Sequence, residues 1–142
     1  MEYFQEEANK RLQTVKRKDF KLPEAVYRQA LWAVRDLPRM KEKLTELEEA
    51  VEQISAPNPA EAVRTDSIIR DATGRKATEL AQLTLRIQAI EKGFLTVPPK
   101  YRSGLRDHLS FGIPYPEDYH RNTWKKWQQV TLYAIACNLK IL

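Results

Sequence analysis

Leu37, Leu44 and Val51 stand seven residues apart, and so do Met40, Leu47 and Ile54. After a Pro-rich interval the spacing returns in Leu80, Ile87 and Phe94, and again in Leu83 and Ile90. A seven-residue apolar repeat keeps its members on one side of a helix, because two helical turns take close to seven residues. A strand cannot use such a stripe, since its faces alternate every second residue. Two stripes therefore predict an all-α chain. Joined by one linker, they predict a long coiled-coil-like antiparallel hairpin. Arg39, Lys41, Glu42, Lys43, Glu46, Glu48, Glu49 and Glu52 fall between the stripe positions as a charged exterior. Neither helix alone buries enough apolar surface to be stable in water, so the hairpin, or a dimer of hairpins closing a four-helix bundle, is the expected unit.

Proline and glycine set the remaining boundaries. Pro38 interrupts the first stripe, and a proline in a helix interior costs ~3 kcal/mol. A kink or one-turn break is expected there, with a new helix capped by Asp36 as the alternative. Leu22-Pro23-Glu24 reads as a helix start. Ser55 to Ala72 reads as a linker, in which Ile68 and Ile69 either anchor to an apolar surface or are incidental. Thr73 is the expected cap of the second long helix, and Gly93 with Thr96-Val97-Pro98-Pro99 its end. At the start, Phe4, Ala8, Leu12 and Val15 predict a short helix over Glu2 to Lys16. The chain divides accordingly into an N-terminal helix and basic arm (1–21), the hairpin (22–97, linker 55–72) and a C-terminal unit (98–142).

Composition narrows the chemistry. The 4 glycines in 142 residues argue against a sheet-rich fold and a phosphate-cradling loop. Cys137 is the single cysteine, which excludes an intrachain disulfide and a thiolate metal cluster; its apolar helical setting predicts a small buried hydrophobe. His108 and His120 have no acidic or thiol partners at ligand spacing, so no metal or other cofactor is expected. No Ser/His/Asp order is present, and Glu117-Asp118 reads as a capping or solvated pair; the chain is expected not to be an enzyme. The start, MEYFQEEANK, is acidic and lacks the apolar core of a signal peptide. No apolar run approaches the ~20 residues of a membrane span. A soluble, cytoplasmic protein is expected.

Positive charge is concentrated in the last third. Residues 98–142 carry seven cations against three carboxylates, a net +4 of the chain's +5. Charge gathered on one small unit suits a nucleic-acid partner. A first helix there has Tyr101, Leu105 and Leu109 on its apolar side, with Lys100, Arg102 and Arg106 elsewhere, suited to phosphates. Phe111-Gly112 closes it, and 113–119 is a turn with room for one helical turn. His120, Asn122 or Thr123 caps the last helix. Its Trp124, Trp127, Thr131, Ala134 and Ile135 face inward, with Val130, Cys137, Asn138 and Leu139 completing the packing. That leaves Arg121, Asn122, Thr123, Lys125, Lys126, Gln128 and Gln129 for solvent or duplex DNA. Arg and Lys suit guanine edges and phosphates; Asn and Gln suit adenine. The basic knot Lys16-Arg17-Lys18-Asp19-Phe20-Lys21 reads either as a solvated helix end or as an arm touching phosphates.

The run YRQALWAVRDLPRMKEKL, the Pro-rich linker, TGRKATELAQLTLRIQAIEKGF, then PPKYR and NTWKKWQQVTLYAIACNL, resemble in layout the RinA/ArpU-type late transcriptional regulators of phages and prophages of Gram-positive bacteria. The resemblance covers most of the chain. It implies a C-terminal helix-turn-helix like the promoter-reading part of sigma factors, with the last helix reading DNA, RNA polymerase as a further partner, and a homo-oligomer. Trp124 and Trp127 match buried slots of that helix; Arg121, Asn122, Thr123, Lys125 and Gln128 match exposed ones. One departure is that residues 113–119 are short and hold two prolines where that motif has a full helix. Two other readings stand beside this one: a phage small terminase-type packaging protein, and a helical adaptor or structural protein whose heptads bind a protein partner.

Overall fold

The computed structural model describes residues 16–54 and 62–142, without the side chains of residues 54 and 62–73. The short helix expected over Glu2 to Lys16, and the roles of Ile68 and Ile69, lie outside the described residues. Everything described is helix and connection, with no strand among the described residues, as the all-α expectation required. A 3₁₀ turn, Arg17–Phe20, precedes five α-helices: α1 Glu24–Arg35, α2 Leu37–Ile54, α3 Ala62–Phe94, α4 Pro99–Phe111 and α5 Arg121–Asn138.

The break at Pro38 occupies one residue. Asp36 closes α1, its N–H still bonded to the Trp32 carbonyl, and α2 starts at Leu37 with Pro38 in its first turn, where a missing N–H costs nothing. Asp36 is thus the C-cap of α1, and a new helix with Pro38 in its first turn, the alternative to a kink, is what forms. The expected linker is shorter than 55–72, because α3 begins at Ala62 and not at Thr73. The last helix breaker before it is Pro59, and Ala62 to Ala72 contains neither proline nor glycine to stop a helix.

The chain forms two compact units, one of residues 1–37 and 89–142, the other of residues 38–88. In the second unit, Lys43 and Leu47 of α2 share a groove with Glu79, Gln82, Leu83 and Arg86 of α3. Met40, Leu47 and Ile87 are buried there, while Leu44, Val51, Leu80 and Leu83 are only half-buried. Burial of the heptad stripes thus fades from Met40 and Ile87 toward Val51 and Leu80.

The first unit is organised around α5. Trp124, Trp127, Val130, Thr131, Leu132, Ile135 and Ala136 are all buried, so more than half of the helix circumference faces protein. The 3₁₀ turn, α1 and α4 all pack on it. Ala30, Ala33 and Val34 come from α1 and Tyr101, Leu105 and Leu109 from α4, while Ile90, Phe94 and Val97 add the end of α3 and the segment after it. Two glycines allow close helix contact. A Cβ on Gly93 would stand 2.2 Å from Cγ1 of Ile135, and one on Gly104 would stand 2.5 Å from Cη2 of Trp124. Gly93, expected to end its helix, lies buried inside the last turn of α3 and makes room for α5.

Candidate nucleic-acid interface

The C-terminal unit consists of α4, a connection over residues 112–120, and α5. Gly112 ends α4 in the left-handed region (φ 69°), where a side chain would be strained. Its N–H donates to the His108 carbonyl and that of Ile113 to Asp107. The connection contains no helix, only a turn at Glu117-Asp118. Its shape comes from aromatic packing. Tyr115 stacks on Trp124 with centroids 4.7 Å apart and planes within 11°, and His108 stacks on Tyr115 at 3.9 Å. Tyr119 and Tyr101 meet the same tryptophan edge-on, and the Trp124 indole N–H donates to the Pro116 carbonyl. Both tryptophans of the last helix are therefore core, as expected from their spacing, and neither is presented as a platform for bases. Of the three candidate caps the fold uses His120, whose Nδ1 accepts the Asn122 N–H at 3.1 Å.

The expected DNA-contacting residues fall into two groups. The first has partners inside the protein. Gln128 accepts the Tyr115 hydroxyl at 2.6 Å and donates to the Tyr27 hydroxyl at 2.7 Å. Gln129 donates to the Phe20 carbonyl at 2.7 Å. Arg102 donates to the carbonyls of Val97 and Leu95, satisfying backbone groups at the turn after α3. Arg106 forms an ion pair with Glu91 and lies over the Phe94 ring. Thr123 is half-buried in the first turn. Gln128, Gln129, Arg102 and Arg106 are thus fold-holding contacts in this structure. Helical spacing alone could not reveal this, because the partners of Gln128 and Gln129 include Tyr27 and the Phe20 carbonyl, 101 and 109 residues away, and those of Arg102 are backbone carbonyls in the turn before its helix.

The second group remains at the surface. Arg121 and Asn122 are exposed at the start of α5, and Lys125 is half-buried one turn on. The Lys126 ammonium lies over the Trp127 ring at 4.7 Å. Lys100 is exposed at the start of α4, over the rings of Tyr101 and Tyr119. Cys137 lies on the exposed side of α5, contrary to the expected burial; at 100° per residue it is one step past the inward-facing Ala136, and the core ends there.

The basic knot takes a definite place. Phe20 meets the Tyr133 ring edge-on at 5.2 Å, and the Gln129 bond ties its carbonyl to α5. Arg17, Lys18 and Lys21 consequently surround a cleft of about 790 Å³, whose other walls are Leu22, Pro23, Glu24, Tyr27 and Gln129. Glu24 is paired with Arg28 at 2.7 Å.

Burial holds the Tyr115 phenol above its ordinary ionisation range, with a smaller contribution from the nearby Tyr27 phenol. Among the described residues no group of His, Cys, Asp and Glu is arranged to hold a metal ion, and no helix is long and apolar enough to cross a membrane. Comparison with protein-family models, curated proteins and solved structures finds no match for this chain.

Proposed function

We propose that the chain is a DNA-binding transcriptional regulator of the phage or prophage kind, acting by placement on duplex DNA without catalysis. The start of α5 is its contact face. The observation that carries this reading is the location of charge on that helix. Arg121, Lys125 and Lys126 all lie in its first two turns, its last turn has no cation, and it holds no carboxylate. Cations at a helix N-terminus oppose the helix dipole, so this arrangement works against the helix's own stability. A phosphate placed there gains from the side chains and from the dipole alike. Asn122, exposed beside Arg121, supplies an amide suited to an adenine edge. Lys100 at the start of α4 would add a phosphate contact and fix the register.

In this reading α4, residues 112–120 and α5 act as a helix-turn-helix-like unit with an irregular, aromatic-braced connection. The layout resemblance to RinA/ArpU-type regulators agrees with it and brings RNA polymerase as a further partner. The α2–α3 pair would act as a coiled-coil-like hairpin that dimerises, since Leu44, Val51, Leu80 and Leu83 are left half-buried by one chain. The same half-burial favours a second reading, an adaptor whose stripes bind a different protein.

The deciding experiment is fluorescence anisotropy against a random duplex and one from the gene's own neighbourhood, across salt concentrations. Selective binding with a steep salt slope is expected. Replacing Lys125 and Lys126 together by alanine should lower affinity for both duplexes and reduce the slope by about 2, roughly one phosphate contact each. Unselective binding erased by moderate salt, with no change in the variant, would transfer the function to a protein partner.

A further inference from the structure

The cleft beneath the 3₁₀ turn goes beyond the DNA reading. About 790 Å³ is within the range of small-molecule sites, and its walls join three apolar residues to a group of charged and polar ones. Leu22, Pro23 and the Tyr27 ring form the apolar part. Arg17, Lys18 and Lys21 supply three cations within five residues, and among the described residues none of them has an ion-pair partner. Among the described residues Glu24 is the one carboxylate lining the cleft, and it pairs with Arg28. An anion seated among the three is attracted by all of them. The Tyr27 hydroxyl accepts from Gln128, which leaves its own O–H to donate.

From these features we infer that the cleft binds a small organic phosphate with a flat apolar body, an aryl or nucleoside phosphate. A bare phosphodiester backbone would use the cations and leave Leu22, Pro23 and the Tyr27 ring without a function. A neutral aromatic compound would use those three and leave the cations uncompensated. Only a ligand carrying both matches the whole lining. The far wall, Gln129, belongs to α5, so the bound ligand would touch the helix proposed to meet DNA.

The test is calorimetric titration of the full chain with adenosine monophosphate, adenosine and inorganic phosphate separately, with amide NMR spectra recorded in parallel. The monophosphate should bind at least tenfold tighter than either fragment, and should shift the Gln129 side-chain amide. Arg17→Ala with Lys21→Ala should weaken it at least tenfold at unchanged helix content; both side chains are exposed and outside the core. Lys18→Glu, a second surface change, should do the same. Lys125→Ala with Lys126→Ala should leave this affinity unchanged, so loss of the DNA reading would not remove the site. Phosphate binding as tightly as the monophosphate would reduce the cleft to a charge patch and overturn the inference. Unchanged affinity in the cation variants, or a short Glu/Phe peptide that binds more tightly than the monophosphate, would overturn it too.

Discussion

Gln128, on α5, is tied by one amide to the connection and to α1. Its carbonyl oxygen accepts from Tyr115 in the connection and its nitrogen donates to Tyr27 of α1. Both phenols are half-buried, so removing the amide leaves two polar groups short of a partner. Gln128→Ala should destabilise the fold by about 1–3 kcal/mol, read as a lower urea midpoint at unchanged slope. Tyr115 adds a pH dependence of known sign. A free phenol ionises near pH 10 (about), and this one does so only at higher pH. Above pH 10 (about) the unfolded chain therefore gives up a proton that the folded chain keeps, and stability falls as pH rises. Spectrophotometric titration should show a phenol that ionises above the ordinary range, and Tyr115→Phe should remove it and flatten the alkaline fall in stability. As a sequence symbol Gln128 resembles its neighbours on the polar side of α5; its partners, 13 and 101 residues away, cannot be seen in local periodicity.

At the scale of elements, the junction of α4 and α5 depends on absence of a side chain and on one cap. Gly104 lets the Trp124 ring lie against the α4 backbone, with Pro116 also close to the glycine. Gly104→Ala gains helix propensity but pushes a buried indole that has nowhere to move. The net loss should be about 1–3 kcal/mol, measured by chemical denaturation, and Trp124 fluorescence should shift. His120→Ala should cost about 1 kcal/mol by removing the α5 cap, with His120→Asn restoring most of it. The start of α1 and both ends of α4 were legible because Pro23, Pro98-Pro99 and Gly112 have strong local preferences. The start of α3 was not, because absence of a breaker is a weaker signal than its presence. The candidate site was legible only in its charges, at Arg121, Lys125 and Lys126, and not in its glutamines.

For the whole molecule, the main expectation concerns assembly. One chain leaves Leu44, Val51, Leu80 and Leu83 half-buried and Leu85 exposed on the α2–α3 pair. A second copy laid on the stripes would complete their burial, each fully covered leucine contributing about 1.5–3 kcal/mol relative to exposure. Sedimentation equilibrium should return twice the 16.6 kDa chain mass, and Leu44→Lys with Leu83→Lys should return the chain mass itself. Chain mass for the unaltered protein would leave those faces to a different partner.

The sequence by itself determined the helices. Seven-residue stripes, proline starts and a glycine stop act within a few residues of themselves, and they decide local backbone geometry and most of each helix's inward side, Cys137 excepted. It also determined that the two tryptophans of α5 are core and that positive charge gathers at that helix's start. Only the tertiary structure decided which polar side chains are spent inside the protein. Gln128, Gln129, Arg102 and Arg106 find partners brought to them by the packing of α1, α4, the end of α3 and the 3₁₀ turn. The same packing folds the Arg17–Phe20 segment against α5 and so creates the cation-lined cleft. A hydrogen bond or ion pair needs its two ends within a few ångströms, and chain spacing alone cannot say which distant residues will meet.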